Sequence, residues 1–207
     1  MTVLNQLASA LKRRDELPNQ ELALRIIENN DHQAIEELVT KLSNKNKDVQ
    51  SDCIKVLYEI GEHKAELISA YAAEFIQLLD SKSNRMQWGA MTALAAIVPT
   101  NAELIYVSLP RLIEVADAGS VITKDHLVNI LIKLCSIREN EDDAFSLLME
   151  QLLKSHANQL PMYAERAIPV INSTNKKLFI EVLSHRINDF DIESKRKRVE
   201  KIIRKFS

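Results

Sequence analysis

The sequence predicts an all-α solenoid of stacked helix pairs. Three observations lead there: turn residues are scarce, apolar residues recur at helical spacing, and one apolar pattern returns about every 37 residues. The chain of 207 residues holds only 3 Gly and 5 Pro. Sandwiches and barrels need many tight turns, so this shortage argues against an all-β fold. Leu, Ala, Glu, Lys, Gln and Arg, the strongest helix formers, dominate instead. With 46% hydrophobic and 27% charged residues, the composition is that of a globular protein able to bury a substantial core.

The repeat is clearest in the segment from Val49 to Gly61. Its apolar residues Val49, Cys53, Val56, Leu57 and Ile60 occupy one face of an α-helix. Adding 37 to each number gives Met86, Ala90, Ala93, Leu94 and Ile97; a second addition gives Thr123, Leu127, Ile130, Leu131 and Leu134. A third gives Leu160, Ala164, Ala167, Ile168 and Ile171, and only Thr123 departs from the apolar set. A last copy, Val199, Ile202, Ile203 and Phe206, follows at a shift of 35 from Ala164, Ala167, Ile168 and Ile171.

Each of these helices has another before it. Leu38 and Leu42 map by the same shift to Phe75 and Leu79, to Leu112 and Ala116, and to Met149 and Leu153. Polar loops, such as Ser43 to Lys47 and Asp80 to Asn84, join the members of a pair and supply N-cap side chains. Pro18 and Pro161 fall near predicted first turns, where a missing N–H costs nothing. The N-terminal part repeats more loosely: Leu7 and Leu11 stand for a first helix, and Ala23, Ile26 and Ile27 for a second. Such an array has a simple cause. One helix pair cannot bury its apolar face alone, and stacking on a neighbour buries it.

The run Asp48-Val49-x-x-x-Cys53-x-x-Val56-Leu57-x-x-Ile60-Gly61 resembles the second helix of a HEAT (armadillo-type) repeat, and Met86 to Ile97 resembles it equally. The resemblance implies an all-α, right-handed α-α superhelix of about six helix pairs, roughly 12 helices, in one domain over residues 1–207. The family often carries Arg just after the Val of this motif. Here that place holds Gln50, Gln87, Lys124 and Pro161, so its usual ladder of charges between repeats is not expected.

Several function classes find no support. The sequence lacks GxGxxG, Walker, GxSxG and HExxH motifs, and Gly is too scarce for a phosphate-cradling loop. No two of the five His stand at i, i+3 or i+4, so no helical metal pair is expected, and neither is a cofactor. The net charge of −2 argues against nucleic acid as a partner, because phosphate contacts demand a basic excess. No 18-residue apolar run or secretory leader is read, and the two Cys are far apart without a CxxC, so a cytoplasmic setting with reduced thiols is expected. The acidic run Glu139 to Asp143 precedes a helix expected near Ala144, where carboxylates suit the helix dipole. The basic run Lys195 to Arg198, with Lys201, Arg204 and Lys205, alternates with Val199, Ile202 and Phe206 as the solvated face of an amphipathic cap would; Lys12-Arg13-Arg14 is read the same way.

What remains is a non-catalytic scaffold that binds a partner protein or peptide. HEAT-like arrays commonly turn their second helices toward the concave side, so the resemblance places the off-stripe residues of these helices in a groove. The candidates are Tyr58, Trp88, His126, Asn129, Tyr163 and Arg166, with Lys55, Thr92 and Met162 on the same helices. Trp, Tyr and Arg offer large rigid contact area with a polar handle. HEAT-like solenoids also include DNA alkylation repair glycosylases, the alternative reading, which grip DNA on a basic, aromatic-lined concave surface. One Trp and a negative net charge fit that reading poorly. A module docked on another enzyme, resembling the repeats of phycobilin lyase subunits, is a third class that no residue selects.

Overall fold

A computed structural model of the chain describes residues 2–207. These residues form two compact units, one up to Leu127 and one from Val128, and no strand occurs among them. The first unit holds α1 (Leu17–Asn29), α2 (His32–Thr40), α3 (Lys47–His63), α4 (Ala72–Gln77), α5 (Asn84–Ile97), α6 (Ala102–Val107), α7 (Leu109–Ala118) and the first half of α8 (Val121–Leu134). The second unit holds the rest of α8, α9 (Glu141–Lys154), α10 (Leu160–Ala167), α11 (Lys176–His185) and α12 (Glu193–Phe206).

In the first unit α3 packs between α1 and α5, with α2 against α3 and α4 against α5. Because α3 has neighbours on several sides, every residue from Cys53 to Tyr58 is buried, and α5 is buried without a break from Gly89 to Ile97. The apolar stripe found by spacing forms the core. Cys53, Val56, Leu57 and Ile60 are buried, as are Met86, Ala90, Ala93, Leu94 and Ile97, and Phe75 and Leu79 face them from α4 and the turn after it. In the second unit Leu160, Ala164 and Ala167 of α10 meet α12, which buries Val199 and Ile202 and leaves its basic residues Lys197, Arg198, Lys201, Arg204 and Lys205 exposed.

Local chemistry sets the helix ends. Asn46 accepts from the Asp48 amide at 2.9 Å and caps α3, and Asp31 caps α2 through the Ala34 amide. Pro18, Pro110 and Pro161 stand in the first turns of α1, α7 and α10. Pro110 also explains why α6 and α7 are separate. It has no N–H to give the carbonyl four residues back, and its ring would strike that carbonyl, so the helix breaks at Ser108. The third repeat thus has three helical pieces instead of two, and short 3-10 turns precede α4 and α9 in the same way. The acidic run straddles the start of α9: Glu139 lies in the 3-10 turn before it, and Glu141, Asp142 and Asp143 form its first turn, three residues earlier than Ala144.

Three expectations need correction. The N-terminal stretch is a 3-10 helix (Val3–Gln6) followed by turns, because Lys12 adopts a left-handed backbone, φ 56°, that no α-helix accommodates. Leu11 is therefore half exposed, while Leu7 is buried. In α9 the core takes Leu152, and Leu153 is 43% exposed. Positions i+3 and i+4 from Met149 lie on the same helix face, and the packing takes the first.

A ladder of polar contacts joins neighbouring repeats. Lys64 donates to Asn30, Asn101 to the Ser69 carbonyl and Arg85 to the Ser51 carbonyl, at separations of 34, 32 and 34 residues. Arg111 pairs with Asp80 at a separation of 31. In the second unit Asn172 donates to Glu141, Arg198 forms a bidentate pair with Glu165 and Arg186 donates to the Leu152 carbonyl, at 31, 33 and 34 residues. In place of a ladder of charges at the HEAT motif position, neighbouring repeats are joined by polar contacts of other residues, two of which, Arg111–Asp80 and Arg198–Glu165, are ion pairs.

Candidate functional site

The candidates divide between the units. Tyr58, Trp88 and His126 belong to the first; Asn129, Tyr163 and Arg166 to the second. Lys55, Thr92, Asn129 and Arg166 stand 37 residues apart in sequence, so one position of the second helix is polar in four successive repeats.

In the first unit the side chains converge on Trp88. Gly89 makes this possible: a Cβ there would come within 2.7 Å of Ile54 Cγ1, so only glycine lets α5 lie this close to α3. Trp88 then meets Tyr58 of α3, ring centroids 5.9 Å apart and tilted by 46°. The Arg85 guanidinium lies 4.0 Å from the Trp88 ring centroid, and Lys55 stands 4.9 Å from that of Tyr58. The attraction of each cation for an aromatic face holds the four in a stack. Lys55 is nearly out of solvent and is held by Glu59 and by Glu16, the latter at 2.9 Å. Burial alone would lower the Lys55 pKa, but hydrogen bonds from Glu59 and Glu16 outweigh it and raise the pKa above the usual lysine range. Burial also raises the Tyr58 hydroxyl pKa, against the pull of Arg85 and Lys55.

Along the same helix, the Thr92 hydroxyl donates to the Trp88 carbonyl at 2.8 Å. His126 Nε2 is 2.9 Å from that hydroxyl oxygen, whose proton is already used, so Nε2 carries the donated hydrogen. Trp88 and His126 are half-buried, and Tyr58 is 6% exposed. Trp88 is therefore the aromatic surface this face offers, with Tyr58 as its backing. In the second unit Arg166 is exposed and donates to Asn129 at 3.4 Å, whereas Tyr163 is 3% exposed and its ring is part of the interior. Met162 is half-buried beside it.

Sequence reasoning missed Arg85, Glu16 and Glu59. Arg85 stands three residues before Trp88 and Glu59 four after Lys55, spacings that place each pair on one helix face, so both were within reach of the i, i+3 and i, i+4 rule. Glu16 had no such signal, since its partners come from α3 and α5. Among the described residues no group of three or more His, Cys, Asp or Glu is placed to hold a metal ion. Burial raises both thiol pKa values to about 12, so Cys53 and Cys135 are poor nucleophiles.

No protein-family profile matches the sequence, and no curated protein is similar to it. Solved structures are. Two engineered proteins from a structural genomics consortium superpose at TM-scores of 0.60 and 0.58 with 19% and 20% identity. The alignments cover 100% and 98% of this chain and 98% and 99% of theirs. A designed armadillo repeat protein superposes at 0.61 with 15% identity, over 99% of this chain and 100% of its own. At such identities the likeness is one of fold. The chain has an armadillo/HEAT-like helical-repeat fold, an α solenoid. No helix among the described residues is long and apolar enough to cross a membrane.

Proposed function

We propose that this protein is a non-catalytic scaffold in the cytoplasm, which binds a partner protein or peptide on the concave face of its solenoid. The observation that carries this reading is the half-buried Trp88 of α5, held between Arg85 and Tyr58. A large aromatic surface fixed in place by its neighbours loses little entropy on contact, which is what a binding hot spot requires. Within the first unit, Thr92 and His126 extend the face with polar groups. The second unit carries its own polar pair, Asn129 with Arg166. The reading needs neither nucleic acid nor a membrane as partner.

The test is capture of a partner by three proteins side by side: wild type, Trp88→Ala, and Val107→Ser as a control on the exposed face of α6. A partner retained by wild type and Val107→Ser but released by Trp88→Ala supports the reading. Equal retention by all three removes Trp88 from the site.

A further inference from the structure

Charge is unevenly placed along this chain. From Glu193 to Ser207 there are seven Lys and Arg against two Glu, whereas residues 1–192 hold 20 Lys and Arg against 27 Asp and Glu. The elements packed against α12 do not cancel its surplus: α10, α11 and residues 186–192 together hold four side chains of each sign. Burial of Val199 and Ile202 turns the opposite side of α12 outward, and Lys197, Lys201, Arg204 and Lys205 stand there, all exposed. Their positions, i, i+4, i+7 and i+8, form one stripe about 12 Å long at the helical rise of about 1.5 Å per residue. We propose that this stripe is a docking surface for a short acidic segment of a partner protein, a second surface that stands apart from the Trp88 face.

A solvated cap accounts for only part of the stripe. Lys197 and Lys201, and Lys201 and Lys205, are like charges at i, i+4, and Lys201 and Arg204 at i, i+3; each such pair destabilises the helix. The helix dipole favours Arg204 and Lys205 in the last turn but opposes Lys195 and Arg196 in the first. A face built for solubility alone mixes its signs, as Glu193 and Lys197 do at 2.7 Å. Along the stripe Glu200 is the one carboxylate, and it is half-buried. Lys201, Arg204 and Lys205 form no ion pair among the described residues. An anionic partner relieves the repulsion that α12 otherwise carries.

Glu165 of α10 shows what such a partner gains. Its carboxylate accepts from two Arg198 nitrogens, at 2.8 and 2.6 Å. Those hydrogen bonds, helped by the charges of Arg198 and Lys201, hold its carboxyl below the usual range. The extent of the stripe then selects the class of partner. About four extended residues span 12 Å, so a short run of carboxylates ends where the cations end. A nucleic-acid duplex, with about one negative charge per 1.7 Å, and a lipid surface both continue past the helix. Either would also face the rest of the chain, whose side chains carry a surplus of seven negative charges.

The probes are a blocked, rhodamine-labelled Gly/Ser peptide with four successive Glu, its Gln counterpart, a labelled DNA duplex and phosphatidylserine vesicles. Each is titrated at low salt with the full chain, by anisotropy or, for vesicles, by cosedimentation. The proteins are wild type, Lys201→Glu, Trp88→Ala, and Lys45→Glu, which makes the same charge change at an exposed lysine of the first unit. Saturable binding of the Glu peptide is expected, weakening as salt is added. It should be about tenfold weaker for the Gln peptide and for Lys201→Glu, and unchanged in Lys45→Glu and Trp88→Ala. The melting temperature of Lys201→Glu should not fall below that of wild type, because the reversal removes like-charge pairs. No saturable binding, equal affinity for the two peptides, an equal loss in Lys45→Glu, a lower melting temperature for Lys201→Glu, or tighter binding of DNA or vesicles than of the Glu peptide would each overturn the proposal. The two readings fail separately: Trp88→Ala bears on partner capture by the first unit, and Lys201→Glu on peptide binding by the second.

Discussion

Lys55 is the residue whose setting departs most from its type. A lysine is rarely withdrawn from water, yet here it is nearly so, with Glu16 and Glu59 around the ammonium and the face of Tyr58 beside it. Its pKa is raised in the folded chain above the ordinary 10.5. The charged form is therefore favoured by folding. The stability this contributes is complete below about pH 10.5 and is lost as pH rises through the folded value. Lys55→Met should be less stable than wild type at pH 7, by about 1–3 kcal/mol, and the gap should narrow in urea unfolding at about pH 11–12. A gap independent of pH would mean that Lys55 acts through packing of its stem alone. The residue scale is also where sequence reading reached least. Tyr58 and Tyr163 read as surface aromatics because each falls off the apolar stripe of its helix, but α3 and α10 have neighbours on more than one side and bury them. Periodicity reports one buried face and is blind to a second.

At the scale of elements the sequence was more informative. Nearly every position that the 37-residue shift named in α3, α5, α8 and α10 is buried, because each repeat must present the same apolar face to its neighbour, but the shift missed the second buried face of α3 and α5, with Ile54, Tyr58, Met91 and Ala95. It failed where local backbone chemistry intervened, at Lys12 and at the Pro110 break between α6 and α7. It also could not show how closely two helices approach. The α3–α5 contact depends on Gly89, and a methyl group there meets Ile54, a β-branched side chain that is fully buried and has no room to turn. Alanine is the better helix former by about 1 kcal/mol. We expect overpacking to exceed that gain, so Gly89→Ala should lower stability by about 1–2 kcal/mol net and weaken the Tyr58–Trp88 contact. Thermal unfolding together with the Trp88 emission maximum would show both. A stabilised variant with unchanged emission would mean that the helices can separate freely.

For the whole molecule, the repeat makes length negotiable. Deleting one repeat, Ser83 to Gly119, joins the turn after α4 to the start of α8 and leaves the remaining helices with neighbours of the same kind. The shortened chain should retain helical circular dichroism per residue and unfold at a lower temperature. Loss of most helical signal would mean that the helices depend on one another as in a bundle, where each supports all the rest. The polar ladder, with its rungs 31 to 34 residues apart, has a mechanical counterpart. Few of its rungs fasten residues distant along the chain, so tension applied to the two ends loads the terminal helices first and spares those behind them. Such a chain yields as a spring does, one coil after another, each released repeat paying out roughly 120–130 Å of slack at the extended length of about 3.3–3.6 Å per residue.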